Sequence, residues 1–255
     1  MNRHAEYRMP RAAVALQCLS LTLFLLSAAV GAEQRPLRFS VSESWAMPMV
    51  HIVDGQATDG ILYDLQHRLA EKVGRRAELL VLPRLRVQEM LVRGEIDVRC
   101  YVSPAWLTES HHQYIWSVPF MVQRDLLVGR RKQRLQLSQL RGESVGTVLG
   151  FTYPELEPLF SHGHLQRDDA RTQELALAKL AAKRYDYAIS NELTLHWFNR
   201  QQPAGRKLQA LAEVASEPLA CIVRDEPDVP TMALLRALVQ MKQDGEFEAI
   251  LARYR

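Results

Sequence analysis

The chain has 255 residues, of which 47% are hydrophobic and 24% charged, with 32 Lys+Arg against 29 Asp+Glu. These values describe a globular protein and exclude a disordered, collagen-like or multi-span membrane chain. A formal charge of +3, with no basic run longer than Arg130-Arg131-Lys132, argues against nucleic-acid binding.

Arg3, Arg8 and Arg11 precede an uncharged stretch from Ala12 to Val30, which ends in Val30-Gly31-Ala32 before Glu33. A basic start, an apolar middle and small residues at −3 and −1 predict a secretory signal peptide over residues 1–32. The rival is an uncleaved anchor, but Gln17, Ser20, Thr22 and Ser27 dilute the stretch. The expected location is therefore the periplasm, with no stable membrane insertion after cleavage. Of three cysteines, Cys18 leaves with the signal. Cys100 and Cys221 are free to pair in an oxidising compartment. Both sit in apolar strand-like runs, where a buried free thiol is the commoner state.

Leu37 to Val41 alternates as a strand does, and Val53-Asp54-Gly55-Gln56 is a turn signal. Leu62, Leu65, Leu69 and Val73 share one helical face, closed by Gly74. Ala77 to Leu82 reads as a strand, Val87 to Val92 as a helix, and Ile96 to Val102 as a buried strand. This alternation predicts a mostly parallel sheet. It then repeats: strand at 126–128, short helix at 135–140, strand at 144–149, and Gly150-Phe151-Thr152-Tyr153-Pro154 opening a helix. A helix at 172–182, strands at 185–189 and 219–223, and a helix starting near Pro230 complete the pattern. Two α/β units imply a crevice, with ligand beyond the carboxyl ends of the strands.

Six segments, in order, resemble motifs of the family 3 extracellular solute-binding proteins, the polar amino-acid binders of ABC importers. They are Gly60-Ile-Leu-Tyr-Asp-Leu65, Gly94-Glu-Ile-Asp97, Trp116-Ser-Val-Pro-Phe120, Val145-Gly-Thr-Val-Leu-Gly-Phe-Thr152, Arg184-Tyr-Asp-Tyr-Ala-Ile189 and 241–254. The resemblance covers residues 37–255. It implies an α/β, two-lobed periplasmic-binding-protein-like type II fold with a two-strand hinge. Lobe 1 would be discontinuous, 37–122 plus 217–255, and lobe 2 would be 123–216. It also implies a monomer without cofactor, which captures a small polar ligand, amino-acid-like or organic-acid, for an ABC permease or a membrane sensor.

The resemblance places the ligand-covering aromatic at Trp45 and the strand-end contacts at Tyr101, Val102 and Ser103, while Gly150, Phe151, Thr152 and Tyr153 are candidate contacts because they stand at an expected helix start in lobe 2. A helix start there favours an anion. Ser103 has a rival role as an N-cap, because Pro104 suits the first helical position. Trp106 and Trp116 read as structural. The family's carboxylate-binding Arg is missing: the matching position holds Glu109, with Ser110 next. The family's ammonium-binding Asp is Asn191 here, followed by Glu192. Arg84 and Arg86 are the candidate replacements for carboxylate recognition; Arg99 would be costly in mid-strand unless it reached a partner or the cleft. An enzyme on the same fold, similar to cyclohexadienyl dehydratases, would use Glu109 or Glu192. The pairs His111-His112 and His162-Gly-His164 lack helical zinc spacing, so no metal is expected.

Overall fold

The computed structural model describes residues 34–107, 113–133 and 135–255. The expected signal peptide at residues 1–32, Glu109, Ser110 and the His111-His112 pair lie outside the described residues.

The apolar alternation at the start of the chain becomes β1 (Leu37–Ser42), which runs between parallel neighbours β4 (Ala77–Leu82) and β5 (Val98–Val102). Between them come the hairpin β2–β3 (His51–Val53, Gln56–Asp59) and α1 (Ile61–Lys72). Leu62, Leu65 and Leu69 of α1 bury against Leu37, Phe39 and Val98. Gly60, ahead of α1, has φ 116°, and a Cβ there would meet the Val50 Cα at 2.6 Å. The motif's glycine is thus required by close approach of two backbones. The helix α2 (Arg84–Val92) joins β4 to β5.

The short β6 (Tyr114–Trp116) leads into β7 (Met121–Gly129). Then follow β8 (Glu143–Val148), α3 (Glu157–Ser161), β9 (Leu165–Ala170), α4 (Gln173–Ala181), β10 (Tyr187–Asn191) and α5 (Glu192–Arg200). The chain returns through β11 (Gln209–Arg224) and closes with α6 (Thr231–Gln243) and α7 (Glu246–Ala252). The strand order is β4-β1-β5-β11-β7-β10-β8-β9, with β6 also on β11. Period-2 geometry divides the second half's core: Leu126 and Val128 pack on one face of β7 with Leu177 and Leu180, while Leu127 packs on the other with Val145 and Ile189.

One strand links the two halves of the sheet. β11 pairs antiparallel with β7 from Gln209 to Leu219, then with β5 from Ala220 to Val223. Only its last apolar stretch was expected from the sequence. The remainder is polar on one side, carries Pro218, and is interrupted by two register shifts, so it lacks a strand's usual signature. The expected helix at 135–140 is a single 3-10 turn, Leu137–Gln139. Cys100 and Cys221 are directly paired across β5 and β11 and form a disulfide, so the buried free thiol favoured by their apolar setting is corrected. Position across an antiparallel register decides the pairing, and neither composition nor a 121-residue separation shows it.

Asp97 is fully buried at the start of β5. Its carboxylate takes Arg38 Nη2 at 2.9 Å, the Arg38 backbone N–H at 2.9 Å and Arg224 Nη2 at 3.0 Å. The acidic residue of the Gly94-Glu-Ile-Asp97 segment therefore joins β1, β5 and β11.

Candidate functional site

Three strands each contribute alternate residues to one cavity between the halves of the sheet. Ser40 and Ser42 come from β1, Arg99 and Tyr101 from β5, and Gln123 and Asp125 from β7. In every case the intervening residue faces elsewhere, as a two-residue period demands: Val41 is in the core and Cys100 is in the disulfide. The first half adds Trp45, Arg84, Val87 and Trp106; the second adds Phe151, Thr152, Tyr153, Gln173 and Asn191. The cavity is partly open to solvent.

Its walls are aromatic. Trp45 meets Tyr101 edge-on, with ring centroids 5.6 Å apart, and Trp106 lies 6.4 Å from Tyr101. Phe151 and Tyr153 stand opposite. Tyr101 holds φ 64°, a conformation uncommon outside glycine, at the end of β5. Such backbone is found where surroundings over-determine it, commonly at binding sites.

The charges in this cavity are poorly compensated by the protein. Arg99 is 5% exposed, and its sole hydrogen bond among the described residues is to Gln88 Oε1 at 3.5 Å. Burial first, and then the Arg84 charge, bring its pKa down to about 9. Burial also lowers Arg84. Neither arginine pairs with a carboxylate among the described residues. Asp125 is pushed up to about 6, chiefly by burial and also by Glu217, against a hydrogen bond from Gln123 Nε2 at 2.8 Å. Burial and the Asp125 charge keep Tyr101 protonated well above its ordinary range.

Of the residues singled out from sequence, Trp45, Arg84, Tyr101, Phe151, Thr152, Tyr153 and Asn191 line the cavity. Four do not. Arg86 is exposed, one step round α2 from the cavity-facing Arg84 and Val87. Val102 packs into the core beside Ile96 and Tyr114. Ser103 caps the 3-10 turn Pro104–Trp106 by accepting from Ala105 N, and donates to Glu217 Oε2 at 2.9 Å. Gly150 packs under Arg84 and Leu85. No helix starts at Gly150–Tyr153 either: that segment is irregular, and α3 begins at Glu157, after Pro154. The Phe151 N–H is already spent on Val148 O, so the expected anion site on free N–H groups is withdrawn.

Trp106, read as structural, lines the cavity, while Trp116, read as a core aromatic, is 37% exposed on the short β6. Glu192 does not line the cavity; it binds Arg124. Asn191 is an N-cap whose Oδ1 accepts from Thr194 N at 2.8 Å and whose Nδ2 donates to Gln173 Oε1 at 2.7 Å. Among the described residues, no cluster of three or more His, Cys, Asp or Glu is placed to hold a metal ion, and no helix is long and apolar enough to cross a membrane.

The fold recurs in solved structures. An ancestral arginine-binding protein bound to arginine matches with a TM-score of 0.71 and 21% identity, over 87% of this chain and 99% of that one. The GluR0 ligand-binding core from Nostoc punctiforme, in complex with L-glutamate, matches at 0.69 and 17%, over 86% and 99%. A histidine kinase sensor domain with similarity to periplasmic binding proteins matches at 0.70 and 21%, over 87% and 96%. The chain has the fold of the two-lobed periplasmic binding proteins. No family model and no curated protein sequence matches it.

Proposed function

We propose that this chain is a secreted solute-binding protein of the family 3 type, which captures a small acid-bearing ligand in its cleft. The observation that carries this reading is the pair Arg84 and Arg99. Two cations near enough to perturb one another, one of them buried and neither matched by a carboxylate among the described residues, are costly in an apo protein. An anionic ligand relieves that cost, and guanidinium suits carboxylate geometry. The aromatic wall of Trp45, Tyr101 and Trp106 supplies apolar contact for the ligand's body. Arginine in the ancestral neighbour and glutamate in the GluR0 core both carry a carboxylate, in line with this reading.

In the same proposal the lobes are 37–122 plus 217–255 and 123–216. They close on the ligand, and the closed form is read by a membrane partner, an ABC permease for a transport role. The likeness to a histidine kinase sensor domain favours a second reading, in which the partner is a sensor. Cross-linking in native membranes separates the two. We read the chain as a binder and not a catalyst, because Glu192 is held by Arg124 away from the cavity.

The test is thermal-shift screening and calorimetry of the purified chain against amino acids, dicarboxylates, aromatic acids and polyamines. Ligand at 100 times its Kd adds about 2.7 kcal/mol of stability, which a melting curve resolves. A polyamine as the tightest binder, or no loss of affinity in both Arg84→Ala and Arg99→Met, overturns the proposal.

A further inference from the structure

We propose that the ligand carries an apolar arm of several carbons, which runs past Arg84 into a second, adjoining cavity and rests there on Leu85, Leu149 and Leu175. The ligand class would then be carboxylic acids bearing an acyl-like chain, longer than a free amino acid. This rests on the proposed capture of an acid by Arg84 and Arg99 and extends it to the rest of the molecule.

Continuity is the first support. Arg84 borders both cavities, and segments that wall the first wall the second with neighbouring residues. Phe151 faces the first cavity and Leu149 the second; Val87 faces the first and Leu85 the second; Gln173 faces the first and Thr172 the second. Gly150 stands between Leu149 and Phe151 and adds no side chain to the divide. A Cβ there would lie 3.2 Å from Leu85 Cδ2 and 3.3 Å from Arg84 Cγ. At this point the divide is thus a long, flexible arginine side chain against bare backbone, and no strand stands across it.

Exposure is the second support. Leu85 is 72% exposed, Leu149 54% and Leu175 48%. They are the three most exposed leucines among the described residues, and all three line the second cavity. Single apolar residues on a surface need no explanation, whereas several gathered round one hollow mark a binding surface. They come from both halves of the sheet: Leu85 from the start of α2, Leu149 from just beyond β8, and Leu175 from the first turn of α4.

The polar inventory is the third. Thr172 engages its hydroxyl in the cap of α4, accepting from Leu175 N at 3.2 Å. Apart from Arg84, the charged residues of the second cavity are Glu43 and Arg171, both exposed. An occupant therefore meets leucine and Pro83 along its length and charge only at the rim. Because this hollow adjoins the acid site through Arg84, the occupant it fits is the remainder of the captured acid.

Calorimetry at pH 7.5 on the purified chain tests the inference with N-acetylglycine, N-butanoylglycine and N-hexanoylglycine, which keep one carboxylate and lengthen only the arm. Glutarate and benzoate serve as acids without an arm. Each methylene taken out of water tightens binding about three- to fourfold, so Kd should fall at least about tenfold from the acetyl to the hexanoyl member. The heat-capacity change should become more negative along the series. Leu85→Gln combined with Leu175→Gln, at exposed positions where substitution costs the fold little, should bring those two members within about twofold of each other and leave N-acetylglycine as in the wild type. Leu149→Trp, which fills the second cavity, should weaken N-hexanoylglycine and spare N-acetylglycine. A wild-type Kd that is flat or rises with arm length overturns the inference, and the leucines then belong to a protein partner. The same dependence on arm length in the double variant also overturns it, because the arm then lies elsewhere. N-acylglycines that fail to bind where glutarate or benzoate binds overturn it too and leave the acid-capture reading standing. Failure of every acid overturns both.

Discussion

Replacing Arg99 with Met should make the empty protein more stable and the loaded protein hard to obtain. Arg99 sits on β5 at 5% exposure, and burial with the Arg84 charge brings its pKa down from the usual guanidinium range to about 9. At about 1.4 kcal/mol per decade, the charged form is disfavoured by something on the order of 4–5 kcal/mol. Methionine has a similar length and no charge. Swapping buried charges for well-packed apolar side chains recovers about 1–4 kcal/mol where it has been tried, and each kcal/mol moves the melting temperature of a domain this size by roughly 2–4 °C. The same substitution removes a cation proposed to face the ligand's acid, a loss of about 2–5 kcal/mol in binding, or more than tenfold in Kd. Scanning fluorimetry without ligand and calorimetry with the best acid from the screen read the two effects separately. A lower melting temperature together with unchanged affinity would refute the reasoning, because Arg99 would then be a structural residue.

Three further outcomes follow from packing. Gly150→Ala should weaken ligand affinity without touching the ligand: φ is 77° and the new Cβ would lie 3.2 Å from Leu85 Cδ2 and 3.3 Å from Arg84 Cγ, so it strains the backbone and presses on the arginine at once. Small-angle scattering at saturation should show a less compact particle than the wild type, and an identical curve with identical Kd counts against it. Asp97→Ala should cost about 3–5 kcal/mol in a denaturant titration, because Arg38 and Arg224 both lose their shared carboxylate. Replacing Cys100 and Cys221 together by Ser should cost about 4–5 kcal/mol on the chain-entropy account of a loop spanning 121 residues; a loss below 1 kcal/mol in the same titration would mean that the reduced chain is already held together by β5 and β11.

Much of the architecture was legible because it is written in periodicity. Leu62, Leu65 and Leu69 mark α1, and the fully buried run 98–102 marks β5. What was illegible depends on register. Ser40 and Ser42 alternate with apolar neighbours and Gln123 and Asp125 flank Arg124, which in one sequence looks the same as a solvated strand face; only the opposing half of the sheet turns that face into a cavity wall. Arg99 carried a clearer signal, a cation in mid-strand, although only the structure shows that nearby Asp97 is taken by Arg38 and Arg224. The segment Gly150–Tyr153 misled for a local reason: glycine, a hydroxyl residue and proline in sequence suit a helix entry, yet here they build a loop whose Tyr153 hydroxyl returns to accept from Val148 N at 3.1 Å. Asn191 illustrates the converse, a side chain in the expected place whose capping bond leaves it little to offer a ligand.

The Cys100–Cys221 bond has a mechanical side. It clamps β11 to β5 just beyond the point where β11 changes partners, between Leu219 and Ala220. A clamped strand bends like a cantilever, with its free length beginning at the clamp. Pro218, which offers no N–H to the ladder, is the first weak link outward from it, and the Ser103–Glu217 hydrogen bond spans the same gap as a detachable strut. If the lobes move as proposed, flexure is expected in the few residues around 215–219, beside Asp125 on the paired strand. The joint on β11 is thus paired directly with the strand that carries the acid, Ala215 standing opposite Asp125.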